Sequence, residues 1–577
     1  MIARVLVADR GEIAVRVIKA CRRLGIEAVV VHSDPDARSL AVELADDAVA
    51  LAGSTAAATY LDVDRVVGAA VETGCDAVHP GYGFLAERAD FATAVEAASL
   101  TWIGPPAAVI AMMGDKLAAR SIAQNAGVSP VPGAMFAVDD PDAVRRFGKE
   151  LGWPLAVKAV HGGGGRGMRV VSAASEVDDL LAAARRESQS SFGRPEVYVE
   201  RFLARPRHVE VQIIADHHGG LVVVGDRDCS IQRRYQKLIE EAPAPDLADA
   251  VRDGLAEAAT KLARAVGYAN AGTVEFLVED DQLFFLEMNT RIQVEHPVTE
   301  LVTGVDLVAE QIRVADGAAL SFGPADVEPH GAAIEVRINA EDTADGRFLP
   351  APGTLHRFQP PVGDHIRVDT GYRSGDEIPA AYDNLIAKLV VWGADREQAR
   401  RRAIDALEAL EAEGVPTTAP LAAAVLAHDD FRTVSHSTSW LSDHADALSA
   451  TPTAPTANEV RVVGRWYRIP RFPDVGGTVA ADGIAPTNGG PARARAVPNS
   501  TRRAGDGHVT APMQGTVTAV DVAVGDPVTA ETRVIALEAM KMENSLVAGI
   551  DGTVTAVHVS VGANVAPGTL LVEVVNE

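Results

Sequence analysis

The chain has 577 residues, in which 79 aspartates and glutamates outnumber 53 lysines and arginines to give a formal net charge of −26 at pH 7. This acidic balance argues against a nucleic-acid partner, because binding to a phosphate backbone depends on basic surface. Hydrophobic residues make up 47% and charged residues 23% of the chain, as in folded globular proteins. A chain of this length and composition should form about three to five domains.

The three cysteines, Cys21, Cys75 and Cys229, form no C-x-x-C pair and would leave one residue over from any disulfide. This usage favours a reducing compartment. The N-terminus reaches charged residues too early for a signal peptide, and no run of about 18 apolar residues occurs. We therefore expect a soluble, cytoplasmic protein with no membrane partner.

Residues 1–115 alternate between short apolar strands and amphipathic helices. Residues 5–8 (VLVA) predict one strand and residues 29–31 (VVV) predict the next. The helix between them has one apolar face, formed by Ile13, Val17, Ile18 and Leu24. This β-α-β pattern predicts a doubly wound, Rossmann-like layer. The turn at residues 9–12 lacks the G-x-G-x-x-G pattern, so a dinucleotide site has little support.

The second segment, residues 116–330, contains a glycine-rich loop at 162–167 (GGGGRG) between two apolar strands. Glycines let backbone N–H groups approach phosphate oxygens without hindrance from a Cβ atom. The loop is not a Walker loop, because no G-K-[ST] follows and no helix begins there. Taken alone it could equally be a flexible connection, but its place between strands favours a lid over phosphates, at about residues 131–203. Lys116 and Lys158 could supply positive charge to those phosphates.

Residues 273–286 predict a strongly apolar hairpin with its turn at residues 279–282, and alternating polar side chains follow it. The polar residues recur at every second position, so in an extended chain they would all point to one side. They are Glu287, Asn289, Arg291, Gln293 and Glu295. An exposed edge strand is the alternative. The apolar hairpin and the mixture of acids, amides and arginine favour a site that binds a metal and an anion together.

Within this polar set, Glu275 and Glu287 can lie opposite each other on the two strands of the hairpin. Their carboxylates, with the carbonyl oxygen of Asn289, match the hard oxygen ligands that Mg²⁺ prefers. Glu295 is placed to act as a general base. The residues that could hold a small anion are Lys237 and Arg291.

Residues 331–446 combine strands such as AAIEVRIN and HIRVDT with a helical region rich in alanine and leucine, which predicts an α+β domain. Residues 481–507 are dominated by Pro, Gly, Ala and Arg without periodicity, and they predict a flexible linker. Between these regions, residues 459–472 predict one or two strands of a small docking element. We therefore assign residues 447–507 to the docking element and the linker.

Two C-terminal segments repeat each other, namely APMQGTVTAVDVAVGDPV from residue 511 and AGIDGTVTAVHVSVGANV from residue 548. Both alternate in valine and threonine between glycine turns, as β-strands do. Residues 508–577 therefore predict a small all-β sandwich of two matching halves. The segment EAMKMEN lies at the junction of the halves, which places Lys541 on an exposed hairpin turn. A lone Met-Lys-Met would more often be a surface lysine between two packing methionines.

This C-terminal domain resembles the biotinyl carrier family, whose A-M-K-M motif is matched by residues 539–542. The resemblance implies that Lys541 carries biotin through an amide bond, which removes the lysine charge and creates a long arm. A biotin protein ligase would have to attach it. Lipoate is the weaker alternative, because lipoyl domains usually lack methionines on both sides of their lysine.

The rest of the chain resembles the biotin carboxylase family, which has an ATP-grasp fold. The matching motifs, in the family's order, are ADRGEIAVR, HPGYGFLAE, GGGGRGMRVV, RPRHVEVQ, DCSIQRRYQKLIEEAPAP, EMNTRIQVEHPVTE and EVRINAED. The resemblance implies an α/β carboxylase with a Rossmann-like N-terminal layer, an ATP-grasp centre and an α+β C-terminal domain, followed by the all-β carrier sandwich. This layout is similar to that of the α subunits of acyl-CoA carboxylases.

The resemblance also implies a role for each matching residue. The implied nucleotide contacts are Lys116, Lys158, Gly163, Gly164, Gly165, Arg166, Glu200, Arg201, Leu203, His208 and Gln232. The implied ligands of Mg²⁺ or Mn²⁺ are Glu275, Glu287 and Asn289, and the implied bicarbonate pocket is Lys237, Arg291, Gln293 and Val294. Tyr82 would flank biotin. The implied catalytic residues are Lys237, Arg291, the base Glu295, and Arg337, which would stabilise the biotin enolate.

The implied activity is carboxylation of biotin with ATP and bicarbonate. No second catalytic domain follows the carrier, so we expect a carboxyltransferase on a separate β subunit, in a complex with several copies of this chain. Acetyl-CoA and propionyl-CoA are the common acceptors, and the sequence does not distinguish them. A non-catalytic carrier scaffold and another ATP-grasp ligase that joins a carboxylate to an amine are the alternatives. Asp9, His161 and Tyr235 depart from the family pattern, and we expect them to alter affinity modestly.

Overall fold

A computed structural model describes residues 1–161, 168–233, 235–343, 348–444, 448, 459–462, 465–468, 507–512, 515–539, 542–565 and 568–576. The chain divides into two compact units, Met1–Thr453 and Ala454–Glu577. The predicted glycine-rich loop, the predicted biotinyl residue Lys541 and nearly all of the predicted linker lie outside the described residues.

The first unit begins with a parallel sheet of five strands in the order β3-β2-β1-β4-β5. Its strands and helices are β1 Arg4–Val7, α1 Gly11–Leu24, β2 Glu27–His32, α2 Leu40–Leu44, β3 Asp47–Ala50, α3 Val63–Glu72, β4 Ala77–His79, α4 Ala89–Ala97, β5 Thr101–Trp102 and α5 Ala107–Gly114. The predicted Rossmann-like layer is confirmed. Successive residues of β1 pack into different hydrophobic clusters on the two faces, which is why its sequence is continuously apolar.

A small antiparallel sheet of three strands, in the order β7-β6-β8, follows the first layer. Its elements and the helices around it are α6 Lys116–Asn125, α7 Pro141–Leu151, β6 Leu155–Ala159, β7 Arg169–Val171, α8 Val177–Phe192 and β8 Val197–Arg201. The sheet shares one hydrophobic cluster with α7 and α8. The predicted loop at 162–167 connects β6 to β7, so the prediction that a strand stands on each side of it is confirmed.

The central sheet has eight antiparallel strands in the order β13-β12-β9-β10-β11-β14-β21-β19. The strands of its first part are β9 Arg207–Ala215, β10 Leu221–Arg233, β11 Gln236–Ala242, β12 Asn270–Glu279 and β13 Gln282–Asn289. Helix α9 Asp249–Val266 precedes β12, and helices α10 His296–Thr303 and α11 Leu307–Ala315 follow β13. The second part of the sheet comprises β14 Ala332–Asn339, β19 Ile366–Thr370 and β21 Leu385–Gly393. Between them in sequence are short strands that belong to separate two-stranded sheets, namely β15 Glu341–Asp342, β16 Leu349–Pro350, β17 Gly353–Thr354, β18 Arg357–Gln359 and β20 Glu377–Ile378. Because β11 pairs with β14, one sheet continues from the second predicted segment into the third.

The helices after the central sheet are short. They are α12 Arg396–Ala409, α13 Ala419–Ala427, α14 Asp429–Arg432 and α15 Trp440–Asp443, with strand β22 Glu411–Glu413 between the first two. Helices α12 and α13 pack with β14 and β21 around a large apolar cluster that includes Trp440.

The predicted apolar hairpin is confirmed as β12 and β13, which are joined at Asp280 and Asp281. Both joining residues have positive φ, +51° and +60°, as a two-residue hairpin turn of this hand requires. The prediction that the chain stays extended as far as Glu295 is wrong, because β13 ends at Asn289 and residues 290–295 are irregular. The chain must leave the sheet edge to enter α10, whose first turn contains proline.

The second unit contains a short hairpin, β23 Glu459–Val462 with β24 Arg465–Arg468, and two sheets of four strands. The strands of these sheets are β25 His508–Thr510, β26 Gly515–Val520, β27 Pro527–Val528, β28 Arg533–Ala539, β29 Met542–Val547, β30 Gly552–Val557, β31 Asn564–Val565 and β32 Leu570–Val575. The repeated GTVTAV segments are β26 and β30, one in each sheet, so the predicted sandwich of two halves is confirmed.

Strands β28 and β29 form a hairpin in which Ala539 pairs with Met542. The two residues between them in sequence, Met540 and Lys541, lie outside the described part of the chain. The prediction that Lys541 stands at the junction of the two halves therefore rests on the hairpin strands that flank it.

Among the residues that the structure describes, no helix combines the length and the apolar character needed to cross a lipid bilayer.

Gly371, just after β19, lies against the first turn of α1. A Cβ atom at this position would lie 2.5 Å from the carbonyl carbon of Gly11 and 2.8 Å from the backbone nitrogen of Glu12. Backbone atoms cannot give way as a side chain can. We therefore expect Gly371→Ala to lower the free energy of unfolding by about 1–3 kcal/mol, as overpacking does. Denaturant melting would measure the effect.

Gly363→Ala is the matched control for this substitution. The Cβ atom added there would meet only the side chain of Ile366, at 3.3 Å, and that side chain can adjust. Equal denaturation midpoints for the two variants would show that the contact between Gly371 and α1 tolerates an added methyl group.

Candidate active site

A row of charged side chains crosses four neighbouring strands of the central sheet. Arg227 on β10 pairs in register with Glu210 on β9, Glu210 with Glu275 on β12, and Glu275 with Glu287 on β13. Residues paired in this way lie on the same face of a sheet, with Cβ atoms about 5 Å apart. Arg227, Glu210 and Glu275 are buried. Register alone therefore brings three carboxylates and a guanidinium together.

Lys237 on β11 lies at the centre of this charged face. Its Nζ atom donates hydrogen bonds to Glu210 Oε2 (2.6 Å), Glu275 Oε1 (2.9 Å) and Glu295 Oε1 (2.5 Å). Burial by itself would lower the pKa of Lys237, but the three carboxylates outweigh it and raise the pKa well above its usual value. The ammonium group is therefore charged at any physiological pH, and it joins β11 to β9, to β12 and to the segment that ends at Glu295.

Glu295 is wholly buried and receives a second cation. Arg337 Nη2 on β14 donates to Glu295 Oε2 at 2.9 Å, while Arg337 Nε donates to Glu240 Oε1 at 2.6 Å. Burial by itself would raise the pKa of the Glu295 carboxyl, but Lys237, Arg337 and Arg227 hold it below its usual range. Glu295 is therefore an ionised carboxylate, available to accept a proton.

The predicted metal ligands fit a divalent ion in part. Glu275 and Glu287 are directly opposite each other on β12 and β13, as predicted. Asn289, however, donates its Nδ2 to Glu275 Oε1 at 2.8 Å, and its carbonyl oxygen accepts from Arg291 Nη2 at 3.2 Å. The two carboxylates offer the oxygen donors that Mg²⁺ or Mn²⁺ needs. Asn289 could add its oxygen only after its amide turned over.

The predicted anion pocket surrounds the same carboxylates. Gln293 is buried and donates its Nε2 to Glu275 Oε1 at 3.1 Å. Arg291 donates to Gln293 Oε1 at 3.2 Å, and its Nε lies 3.1 Å from Glu87 Oε2. The structure therefore brings the predicted residues Lys237, Arg291 and Gln293 around one spot, beside Glu295.

The predicted nucleotide residues approach from two directions. Lys116, the first residue of α6, has its Nζ 3.7 Å from Glu287 Oε2. Lys158 on β6 forms an ion pair with Glu200 on β8, which Arg120 also contacts at 2.8 Å. Glu200 on β8 thus accepts from Lys158 on β6 and from Arg120 on α6, and its side chain joins these three elements.

The remaining predicted nucleotide contacts lie near the same strands. His208 Nδ1 accepts from Gln232 Nε2 at 2.7 Å, and His208 Nε2 lies 3.0 Å from Glu275 Oε2. The guanidinium of Arg201 lies over the ring of Phe284, 5.3 Å from its centre. Leu203 is buried against the same phenylalanine. Gly163, Gly164, Gly165 and Arg166 lie outside the described residues.

Tyr82, predicted to flank biotin, belongs to a loop that Asp9 holds. Asp9 Oδ2 accepts from the backbone N–H groups of Tyr82 (3.0 Å) and Gly83 (2.9 Å). The hydroxyl of Tyr82 donates to Glu12 Oε1 at 2.6 Å. Asp9, one of the departures from the family pattern, is thus an organising residue of this loop.

Several residues of the cluster were not predicted from the sequence. They are Glu87, Glu210, Arg227, Glu240 and Lys388. For Glu210 a signal was present, since the segment RHVEVQ alternates polar and apolar residues as the Glu287 segment does. Arg227, Glu240 and Lys388 reach the site through strand pairings that a single sequence does not reveal, and Glu87 reaches it from the turn before α4.

Four family models match consecutive parts of the chain. They are the biotin carboxylase N-terminal domain (residues 1–110), the carbamoyl-phosphate synthase L chain ATP binding domain (115–322), the biotin carboxylase C-terminal domain (335–443) and the biotin-requiring enzyme domain (507–574). Together they account for the charged cluster, the central sheet and the C-terminal sandwich.

Curated relatives match over most of the chain. The biotin-dependent acyl-coenzyme A carboxylase alpha3 subunit of Mycobacterium leprae is 46% identical over 99% of this chain and 98% of its own length. The mitochondrial methylcrotonoyl-CoA carboxylase subunit alpha of Arabidopsis thaliana is 46% identical over 80% of this chain and 63% of its own length.

Solved structures match the first unit. The biotin carboxylase domain dimer of Hydrogenobacter thermophilus 2-oxoglutarate carboxylase, in complex with ADP, magnesium and bicarbonate, is 43% identical over 78% of this chain and 99% of its own, with a TM-score of 0.75. Biotin carboxylase of Campylobacter jejuni, solved as a β,γ-ATP complex, is 39% identical over 77% of this chain and 99% of its own, also with a TM-score of 0.75.

Asp9 generates a prediction about pH. Burial raises its pKa to about 7 from an ordinary 3.8, although the N–H groups of Gly83, Arg10 and Tyr82 oppose the shift. The folded chain therefore binds this proton more tightly than the unfolded chain. The contribution of this proton to the free energy of unfolding is fully present below about pH 4. It falls by about 1.4 kcal/mol for each pH unit above that, until the pH passes about 7.

Asp9→Asn cannot ionise, so its stability should not follow this dependence. We expect the thermal midpoint of Asp9→Asn minus that of the parent chain to grow between pH 5 and pH 7 and to level off above about pH 7.5. Scanning calorimetry at several pH values would measure it. A difference that stays constant across this range would mean that Asp9 remains ionised in the folded chain.

Proposed function

This chain belongs to the family of biotin-dependent acyl-CoA carboxylase alpha subunits, and from that premise we propose how its residues divide the work. The chain is an ATP-dependent biotin carboxylase joined to a biotin carrier domain. We assign the carboxylation of biotin by bicarbonate to the cluster around Lys237 and Glu295. The observation that carries this assignment is the burial of Glu295 between two cations, Lys237 and Arg337, beside paired carboxylates suited to a metal.

Three groups supply chemistry that the side chains cannot: ATP provides a phosphoryl group, Mg²⁺ or Mn²⁺ provides positive charge for phosphate oxygens, and biotin provides the nitrogen that accepts the carbon. The residues that would hold the metal are Glu275 and Glu287, with Asn289 after its amide turns. Lys116 and Lys158 would contact the phosphates. A divalent ion held by Glu275 and Glu287 would also offset part of the negative charge that repels an incoming bicarbonate.

Glu295 would accept the proton of bicarbonate on its carboxylate. Lys237 and Arg291 would hold the anion while its oxygen attacks the γ-phosphoryl group of ATP, with ADP as the leaving group and carboxyphosphate as the product. The two cations would offset the charge that develops. Because Lys237 and Arg337 hold the pKa of Glu295 low, the carboxyl would keep this proton only briefly. It can therefore pass the proton on and return to its ionised form for the next turnover.

Arg337 would act on the second half of the reaction. Carboxyphosphate would break into CO₂ and phosphate, and the phosphate would take the proton of a ureido nitrogen of biotin, which then attacks the CO₂. Negative charge spreads to the ureido oxygen in this step, and a guanidinium is suited to stabilise it. Glu240 accepts from Arg337 Nε, and this second contact helps to fix the orientation of the guanidinium. Tyr82, held by Asp9 and Glu12, would contact the biotin ring.

We further propose that the chain works with partners. Its full-length match to a relative that is an alpha subunit supports a carboxyltransferase on a separate beta subunit, which would accept acetyl-CoA or propionyl-CoA. A biotin protein ligase would modify Lys541. The dimer named for the Hydrogenobacter thermophilus carboxylase domain supports a homo-oligomer. The cysteines are buried free thiols, which supports a reducing cytoplasm.

Glu295→Gln tests the central assignment. The substitution keeps the shape of the side chain but removes the proton acceptor, so bicarbonate-dependent ATP hydrolysis should fall by about 10²-fold or more. Phosphate release in the presence of free biotin would measure it. The matched control is Glu310→Gln, a buried glutamate that pairs with Arg313 on α11 and should leave the rate near that of the parent. Activity of Glu295→Gln within a few-fold of the parent would refute the assignment.

Lys541→Arg tests the carrier. Mass spectrometry of the chain made with an active biotin ligase should find the biotin mass shift in the parent and not in the variant. The variant should still hydrolyse ATP when free biotin is added, because the carboxylase cluster is unchanged. Biotin at another lysine, or a parent chain without biotin, would contradict the proposed carrier role.

The acceptor can be identified with the assembled complex. The chain would be copurified with its carboxyltransferase and supplied with acetyl-, propionyl- and methylcrotonoyl-CoA in turn. We expect ATP- and bicarbonate-dependent carboxylation of acetyl-CoA or propionyl-CoA to exceed that of methylcrotonoyl-CoA by about tenfold or more. A preference for methylcrotonoyl-CoA would overturn the proposed acceptor and leave the carboxylase assignment intact.

A further inference from the structure

Lys388 on β21 is a charged side chain with no exposure to solvent. A buried ammonium is costly unless every proton finds an acceptor. Its Nζ atom lies 3.0 Å from Glu12 Oε1 and 4.0 Å from Asp369 Oδ2, and it donates to the backbone carbonyl of Val294 at 2.9 Å. The lysine therefore joins the N-terminal layer, the central sheet and the segment that carries the predicted catalytic base.

Lys388 is also the cross-strand partner of Arg337. The two residues are opposite each other on β21 and β14, so their side chains leave the same face of the sheet. Arg337 binds the carboxylate of Glu295, and Lys388 binds the carbonyl of Val294, the preceding residue. Two neighbouring cations thus hold two consecutive residues, one by its side chain and one by its backbone.

The segment that carries Val294 and Glu295 has no strand pairing of its own. Residues 290–295 belong to neither strand nor helix, so the strand pairing that fixes Glu275 and Glu287 does not extend to Glu295. Its position depends on individual hydrogen bonds. The bond from Lys388 fixes the carbonyl just before Glu295, and hence the direction in which the Glu295 side chain leaves the backbone.

The same lysine reaches Tyr82 through one shared acceptor. Glu12 Oε1 accepts from the hydroxyl of Tyr82 at 2.6 Å and from Lys388 Nζ. Glu12 stands in the first turn of α1, within the N-terminal layer. A displacement of Lys388 would therefore disturb Tyr82 and Glu295 together, although these two residues belong to different layers of the fold.

We propose that Lys388 is a positioning residue of the carboxylase, which sets the backbone at Val294 so that Glu295 faces bicarbonate, and which ties that arrangement to Tyr82 through Glu12. The inference rests on the proposed function of Glu295. Lys388 touches no reacting group itself. A purely structural lysine would join the layers in the same way, so the kinetics must separate the two roles.

Lys388→Met is the test variant, because methionine fills nearly the same space without a donor. In the biotinylated full-length chain we expect the kcat of bicarbonate-dependent ATP hydrolysis to fall by about tenfold or more and the KM for bicarbonate to rise, since small misplacements of a reacting group are costly. The KM for ATP should stay within about twofold of the parent value. Initial rates over a grid of both substrates give all three numbers.

Arg400→Met is the matched control. Arg400 is also a buried cation of the same unit that donates to a backbone carbonyl, Leu426 O at 2.8 Å, and pairs with a glutamate, Glu397 at 2.7 Å. It lies on α12, outside the charged cluster. We expect this variant to lose thermal stability and to keep the kcat and both KM values of the parent.

Lys388→Met leaves Glu12 buried without its cation and could fold poorly. The double variant Lys388→Met, Glu12→Gln removes both charges, which avoids an uncompensated carboxylate. It lacks the donor to Val294 and should show the same rise in bicarbonate KM and fall in kcat with a thermal midpoint near that of the parent.

The outcomes separate the two proposals. A parent chain without bicarbonate-dependent ATP hydrolysis would defeat the proposed function itself. An active parent with a folded Lys388→Met or double variant whose bicarbonate KM and kcat match the parent would overturn only the role of Lys388. Equal changes in the KM values for ATP and bicarbonate would also overturn it, because they would indicate a general loosening of the layers.

Discussion

The structure depends first on the ion cluster around Lys237. The ammonium group contacts Glu210, Glu275 and Glu295 at hydrogen-bond distance. Arg227 contacts the second carboxylate oxygen of Glu210, and Arg337 contacts the second carboxylate oxygen of Glu295. None of these charges could be buried alone, because removing one partner of such a cluster typically costs about 3–5 kcal/mol. The five strands that carry Lys237, Glu210, Glu275, Arg227 and Arg337 must therefore keep their register, and that register brings together residues that we propose bind a metal and a small anion.

Two further buried carboxyl groups of the cluster favour the protonated form more than an ordinary glutamate does. Burial raises the pKa of Glu240 to about 7 and raises that of Glu335 well above its usual value. These two residues are paired in register on β11 and β14. Neither carboxyl oxygen of Glu335 has a hydrogen-bond partner among the described residues, as expected for a group excluded from water and kept neutral. Lys237, Arg337 and Arg227 lower the pKa of Glu295, so Glu295 stays ionised beside carboxyl groups whose pKa values burial raises.

The sequence predicted the parts of this site that follow from local periodicity. Alternation of period two identified the hairpin and placed Glu275 opposite Glu287, and the repeated GTVTAV segments identified the C-terminal sandwich. The extended path to Glu295 was wrong, yet Glu295 still reaches the cluster, because the irregular segment folds back onto β14 and β21. Glu210, Arg227 and Lys388 were missed for a different reason. Their places depend on pairings between strands about 15 to 100 residues apart, and neither spacing nor propensity encodes such pairings.

The continuity of the central sheet changes how the carboxylase should be divided. Family models and composition both separate an ATP-binding segment from a C-terminal segment, yet β11 pairs with β14 and the sheet continues without a break. Arg337 and Lys388 come from the C-terminal side of that boundary and hold Glu295, which comes from the other side. A chain that ended near residue 330 would keep the proposed metal carboxylates and Lys237, and would lose Arg337 and Lys388. The proposed base would then be held by Lys237 without its second cation and without the bond to the Val294 carbonyl, so the C-terminal segment forms part of the proposed site.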